Sequence, residues 1–266
     1  MLRFRHATRA SQGARGYQED ASTVWSGEGA RVRQGASTSS DDLVLVAVLA
    51  DGMGGHIGGA LASRTICSAF LGALAMEAGP VPERLSAALS AANGAVAERV
   101  AENATLSGMG ATLVAVAFSA SGVQWVSVGD SPLYLIRRGE IARLNEDHSL
   151  APMLDRMVAD GRLSAEQAKS DPRRHYLRAA VSGEELDLID ISRRPLVLED
   201  GDIILVASDG IHTLDDKAIA RQVDEHVPEG PDATARALIR AVDRVGDAFQ
   251  DNTTVVVIAV EDDRSL

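Results

Sequence analysis

One cysteine, Cys67, among 266 residues rules out an intramolecular disulfide framework. It sits in a helical apolar pattern and reads as an inert core thiol. Aromatic residues are scarce at 3%, so aliphatic side chains and alanine must fill the core that a 45% apolar content allows. Positive charge is also short. The formal net charge is −12 and the pI is near 4.9, which leaves no basic footprint for nucleic acid. Arg3, Arg5 and Arg9 alternate as one solvated face of a strand does. The acidic surplus favours solubility, and bound cations would neutralise part of it. No apolar segment follows Arg3 and Arg5, and no run approaches the ~18 apolar residues of a membrane span. A soluble, cytoplasmic protein with no membrane and no nucleic-acid partner is expected.

What the chain does have is a set of buried-looking apolar runs that stop at carboxylates. Leu43–Ala50 ends at Asp51, followed by Gly52, Gly54, Gly55, Gly58 and Gly59. A run of this kind, bounded by turn residues, reads as a strand buried on both faces. Its end presents Asp51 into a glycine-lined turn where backbone can approach a ligand. Ile203–Ala207 stops at Ser208-Asp209-Gly210, Asp251-Asn252 precedes Thr253–Val260, and Val123–Val128 ends in Gly129-Asp130-Ser131. Acids at the buried end of a sheet need compensation. Convergent carboxylates would demand cations, and an all-oxygen set favours Mg²⁺ or Mn²⁺ over zinc.

The ordered set Arg15-Gly-Tyr-Gln-Glu-Asp20, Asp51-Gly-Met-Gly-Gly-His56, Gly110-Ala-Thr112, Gly129-Asp-Ser131, Asp147-His-Ser149, Ser208-Asp-Gly210 and Asp251-Asn-Thr-Thr254 resembles the bacterial branch of the metal-dependent Ser/Thr protein phosphatases, the protein phosphatase 2C-like family. The resemblance runs from about Arg9 to Val260. A lone Asp-Gly marks turns everywhere; seven motifs in order are specific. The resemblance implies an α+β fold, a four-layer α-β-β-α sandwich of two mainly antiparallel sheets flanked by helix pairs. It also implies two metals, Mn²⁺ or Mg²⁺: Asp51 bridging them, the Gly52 carbonyl on one, Asp209 and Asp251 on the other, with Glu19 and Asp20 orienting waters. Arg15 stands where the family clamps the substrate phosphate, and a guanidinium fork suits phosphate oxygens.

The implied reaction is hydrolysis of phosphoserine and phosphothreonine by attack of a metal-bridging water or hydroxide. Phosphoprotein substrates and an opposing Ser/Thr kinase follow as partners, with the chain a monomer. Met53 fills the place of the histidine that follows Asp-Gly in animal relatives. His56 reads as structural, so Asp20 or a water must protonate the leaving group. Asp130 could hold an accessory third metal, but the acid expected to assist it is replaced by Thr213 or His212. Pro132 and Ala60 also depart from the family pattern. His148 reads as satisfying a turn. A non-catalytic phosphatase-like regulator, a phosphatase acting on a partner-switching regulator, and a two-metal phosphodiesterase are the alternatives.

Periodicity gives strands at Leu2–Arg9, Ala21–Ser26, Thr112–Phe118, Val123–Val128, Leu133–Ile136, Glu140–Leu144, Leu186–Ile191, Pro195–Leu198, Asp202–Ala207 and Thr253–Val260. Helices are expected at Ala60–Ala78, Pro82–Glu102, Asp215–His226 and Pro231–Ala248. Gly27–Asp42 reads as a hairpin connection. The acids that belong together lie at both ends of the chain, so 1–266 is read as one catalytic domain. Within it, 151–175 is a variable flap beside the site.

Overall fold

The computed structural model describes residues 2–27, 31–32, 42–54 and 57–262. In chain order the strands are β1 (Leu2–Ser11), β2 (Ala21–Ser26), β3 (Arg31–Val32), β4 (Leu45–Ala50) and β5 (Gly52–Met53). The helices α1 (Ile57–Met76) and α2 (Val81–Glu102) follow. Then come β6 (Gly110–Ala111), β7 (Leu113–Ser119), β8 (Gly122–Val128), β9 (Leu133–Arg137) and β10 (Glu140–Arg143). The excursion holds α3 (Ala151–Ala159) and α4 (Ala165–Ser170). The chain returns through β11 (Asp190–Ile191), β12 (Ile203–Ala207), α5 (Asp216–His226), α6 (Pro231–Val245) and β13 (Thr253–Asp262).

Two large antiparallel sheets form, in the orders β10-β9-β12-β13-β1-β3 and β11-β8-β7-β4-β2, and β5 pairs with β6 in a small third one. Three apolar clusters separate four layers. Alternate residues of β4 face opposite ways: Leu45, Ala47 and Leu49 pack between the sheets with Phe118, Val256 and Ile258, while Val46 and Val48 pack under α1 and α2. A strand apolar at every position is what burial on both faces requires, and all six residues of β4 are buried. The third cluster joins β12 and β13 to α5 and α6 through Leu205, Val257, Ile219, Leu238 and Val242. The α-β-β-α sandwich is therefore the observed architecture.

Differences from the sequence reading sit where local signals compete with packing. Of Leu186–Ile191 only Asp190–Ile191 pairs, with β8, and Pro195–Leu198 is reduced to a single bridge between Leu196 and Val123. Proline and the paired arginines before it lie at the sheet margin, where few partners are available for a ladder. Helix α6 stops at Val245 rather than Ala248, because Gly246 adopts a left-handed C-cap with φ 69°. Most of the Gly27–Asp42 connection, and His56 in the glycine turn, lie outside the described residues.

One described helix segment, Gly58–Met76, is long and apolar enough to cross a membrane by length and composition, contrary to the reading that no stretch approaches a span. Its Ala62, Ile66, Phe70 and Leu74 are instead buried against α2 and the second sheet. Cys67 lies in the same cluster, and burial pushes its thiol up to about 12. A protonated, occluded thiol is a poor nucleophile. Labelling with a disulfide reagent at pH 8 should therefore be negligible in the native protein and complete in denaturant; fast native labelling would place Cys67 at the surface.

Candidate metal centre

The strand ends converge at one end of the sandwich. Asp51 follows β4 directly, and its backbone is held on both sides by Thr112. The Asp51 amide donates to Thr112 Oγ1 at 3.1 Å, and the Thr112 amide donates to the Asp51 carbonyl at 2.9 Å. Thr112 Oγ1 in turn bonds Ser131 Oγ at 2.7 Å, which ties the Gly110-Ala-Thr112 and Gly129-Asp-Ser131 motifs together. Asp20 enters just before β2, and Ser208 Oγ donates to its Oδ2 at 2.8 Å. Ser208 also exchanges bonds with Thr254, so Asp209 is carried on the joint between β12 and β13.

Glycine is required where these segments cross. A Cβ on Gly52 would lie 2.3 Å from the Gly59 carbonyl oxygen and 2.5 Å from that of Glu19. The start of α1 thus sits directly on the acidic loop, and Ser63 of that helix donates to the Glu19 carbonyl at 2.6 Å.

Electrostatics mark the same place. Burial, then the neighbouring charges of Asp209, Asp20, Asp130 and Asp251, holds the Asp51 carboxyl well above the usual carboxylate range. Burial first, and Asp251 next, raise Asp209. Burial pushes Asp20 up to about 6 despite its hydrogen bonds, and burial with Asp209 and Asp147 pushes Asp130 up to about 7. Four desolvated carboxylates that repel one another, with the partly exposed Asp251 beside them, form a cation-seeking arrangement.

Whether the residues fit a metal is tested by their unsatisfied atoms. Glu19 Oε1, Asp20 Oδ1 and Asp209 Oδ1 are buried without a hydrogen-bond partner. Such oxygens are costly unless something positive meets them. Among the described residues no group of three or more His, Cys, Asp or Glu side chains is arranged to hold a metal ion. The donor set nonetheless suits a hard divalent ion, because every donor is oxygen.

The structure brings Glu19, Asp20, Asp51, Gly52, Asp130, Asp209 and Asp251 to this end of the sandwich. Arg15 arrives there too, but its guanidinium is ion-paired with Asp251 rather than with Glu19 or Asp20, and it is half exposed. Thr213 donates to Gln250 at 2.6 Å, and His212 contacts the Tyr134 hydroxyl at 3.4 Å. Neither is shown bonded to Asp130, whose carbonyl accepts from Arg143 at 2.7 Å. The Asp147-His-Ser149 turn is closed by Asp147, which accepts from the Ser149 amide at 2.8 Å, and not by His148, whose Nδ1 instead accepts from the Gly129 amide at 3.2 Å.

One residue escaped the sequence reading. Asn252 accepts from the Glu19 amide at 2.7 Å and donates to the Gln12 and Tyr17 carbonyls at 2.8 and 2.9 Å, fastening the acidic loop to β13. Its position in the Asp251-Asn-Thr-Thr254 motif was the available signal. Amide side chains are used where both a donor and an acceptor are needed.

The sequence model of the protein phosphatase 2C family matches residues 32–229, well over half of the chain. The protein belongs to the protein phosphatase 2C family. It is 34% identical over 216 residues to the serine/threonine protein phosphatase PstP of Mycobacterium tuberculosis, covering 80% of this chain and 40% of that protein. It is 30% identical over 171 residues to the serine/threonine phosphatase stp of Listeria innocua, covering 62% and 66%. The chain thus spans less than two thirds of the length of these curated relatives. Among solved structures, the catalytic domain of PstP in complex with two manganese ions superposes with a TM-score of 0.76 at 31% identity, covering 98% of this chain and all of that one. The fold is thus common to the two.

Proposed function

We propose that this chain is a metal-dependent protein-serine/threonine phosphatase that removes phosphate from phosphoserine and phosphothreonine. The observation that carries this reading is the buried carboxylate cluster with three partnerless oxygens beside an exposed arginine. Asp51, the Gly52 carbonyl, Asp209 and Asp251 would hold two Mn²⁺ or Mg²⁺ ions, with Glu19 and Asp20 around them. When bound, the ions supply positive charge against the phosphoryl oxygens and lower the pKa of water.

The chain's own groups do the rest. Arg15 exchanges Asp251 for the substrate, its planar fork matching two phosphate oxygens. Ser208 fixes one oxygen of Asp20, leaving the other to orient water or return a proton to the leaving alkoxide. Residues 1–266 act as one catalytic domain in the cytoplasm, with 151–175 as a selectivity flap and an opposing Ser/Thr kinase as cellular counterpart. A third metal at Asp130 lacks support from Thr213, whose hydroxyl is committed to Gln250.

Hydrolysis of a phosphothreonine peptide should depend on added Mn²⁺ and fall to background with chelator. Wild-type protein inert with every divalent ion would overturn the enzyme and favour the non-catalytic reading; cleavage of diesters alone would favour the phosphodiesterase.

A further inference from the structure

The chain has four phenylalanines and three tyrosines. Phe4, Phe70, Phe118 and Tyr134 are buried, none more than 4% exposed. The other three are Tyr17, Tyr176 and Phe249, at 54%, 61% and 87%. A protein this poor in aromatics has little reason to leave large rings in water, since each would contribute more in the core. These three rings also share a location. All are on segments that frame the acidic end of the sandwich. The half-exposed Trp25, by contrast, is five residues beyond Asp20 along β2, ~16 Å away at 3.3 Å per residue.

Phe249 and Tyr17 are closest in construction. Tyr17 is two residues after Arg15, and its carbonyl accepts from Asn252 Nδ2 at 2.9 Å. Phe249 is two residues before Asp251, and the carbonyl of the intervening Gln250 accepts from the Ala14 amide at 2.8 Å. The crossing is tight: a Cβ on Gly13 would stand 2.5 Å from the Asp251 carbonyl oxygen. The two loops are therefore stitched together by backbone and side-chain bonds and by the Arg15–Asp251 pair, each carrying one exposed ring. The Phe249 amide is capped by Asp247 at 2.8 Å, so the ring projects from an ordered turn.

We propose that Phe249 and Tyr17 form an apolar rim that takes an aliphatic or aromatic side chain of the substrate, two or three residues from its phosphorylated residue. The inference rests on the phosphopeptide reading above. A phosphate held by Arg15 places the peptide's extended flank, at ~3.3 Å per residue, over these rings within two or three positions. Contact with a rigid aromatic ring costs little conformational entropy, which suits a shallow, solvent-facing site. The rim thus acts on peptide binding, and Phe249 and Tyr17 are specificity residues rather than catalytic ones.

The test compares phosphothreonine peptides that carry leucine or alanine at each of the three positions on either side, with Mn²⁺ present. Wild type should favour leucine at one or two positions by about tenfold in kcat/KM, chiefly through KM, as partial burial of one side chain predicts. Phe249→Ala should bring that ratio to within about twofold of unity, Tyr17→Ala should reduce it, and Phe249→Leu should retain part of it. An exposed ring can be removed without unfolding the protein, which a thermal melt of Phe249→Ala checks. Equal hydrolysis of all peptides by wild type, or a leucine preference that survives both alanine variants, overturns the rim and leaves the phosphatase standing. Hydrolysis of none overturns the phosphatase, and the rim with it.

Discussion

Replacing Asp209 by asparagine should abolish metal-dependent turnover and, in the same protein stripped of metal, raise the melting temperature. The two effects have one cause. Asp209 is half-buried, one of its oxygens is buried with no partner, and its charge raises both Asp20 and Asp130. If Asp209 holds a metal as proposed, removing that charge takes away a ligand, and changes even to groups one step removed from a metal commonly cost ~10–100-fold. A loss of about 100-fold or more in turnover at fixed Mn²⁺ is expected. Without metal, the same charge only opposes its neighbours, so its removal relieves the fold; each 1 kcal/mol gained appears as roughly 2–4 °C in a chain of this size.

The pH dependence of the metal-free protein follows with a definite sign. Asp20 and Asp130 have folded-state values of about 6 and about 7, above the ~3.9 of an unfolded aspartate. The folded state therefore binds more protons between those limits, and stability falls as pH rises from about 4 to 7. Chelated wild type should melt higher at pH 5.5 than at pH 7.5, and Asp209→Asn should flatten the difference. A melting temperature that Asp209→Asn lowers without metal would show that the carboxylate is a structural anchor instead. This division of labour, a site kept unstable for the ligand it must accept, is how function and stability come to oppose one another.

Gly52→Ala should do the reverse: lose activity and lose stability together. The added methyl would meet two backbone carbonyl oxygens, at 2.3 and 2.5 Å, and backbone cannot swing aside as a side chain can. Relief requires α1 to lift from the acidic loop, which pulls on the Ser63 bond to Glu19 and on the Thr112 clamp about Asp51. Overpacking of this kind costs about 1–3 kcal/mol, or several degrees in melting temperature. Because Glu19 and Asp51 move with the strain, kcat should fall even at saturating Mn²⁺. A variant with wild-type melting and wild-type kcat would mean that the two segments are not held as closely as the structure places them.

Much of the architecture is written locally. The apolar runs at 45–50, 203–207 and 253–260 are buried at every position, and a chain with so few aromatics can hide such strands only between layers. The carboxylates at their ends, Asp51, Asp209 and Asp251, were legible for the same reason: an acid within two residues of the end of a buried strand is costly, so it stands out. Ordered motifs then separated a phosphatase-like centre from a chance set of turns. Local signals also misled where local chemistry does not decide. Pro195–Leu198 has strand-like residues but no neighbouring strand to pair with along its length, and Gly58–Met76 has a membrane helix's composition but a core helix's partners.

What only the tertiary structure decided are relations between residues far apart in the chain. Arg15 pairs with Asp251 across the interval between the two ends of the sequence, Asn252 ties three points of the loop between β1 and β2 to the start of β13, and Thr213 turns to Gln250. Nor does any periodicity bring the Gln250 carbonyl to the Ala14 amide. A one-dimensional pattern records which side a residue faces. It does not record which partner arrives there, because antiparallel pairing of β1 with β13 sets that register through contacts along ten residue pairs at once.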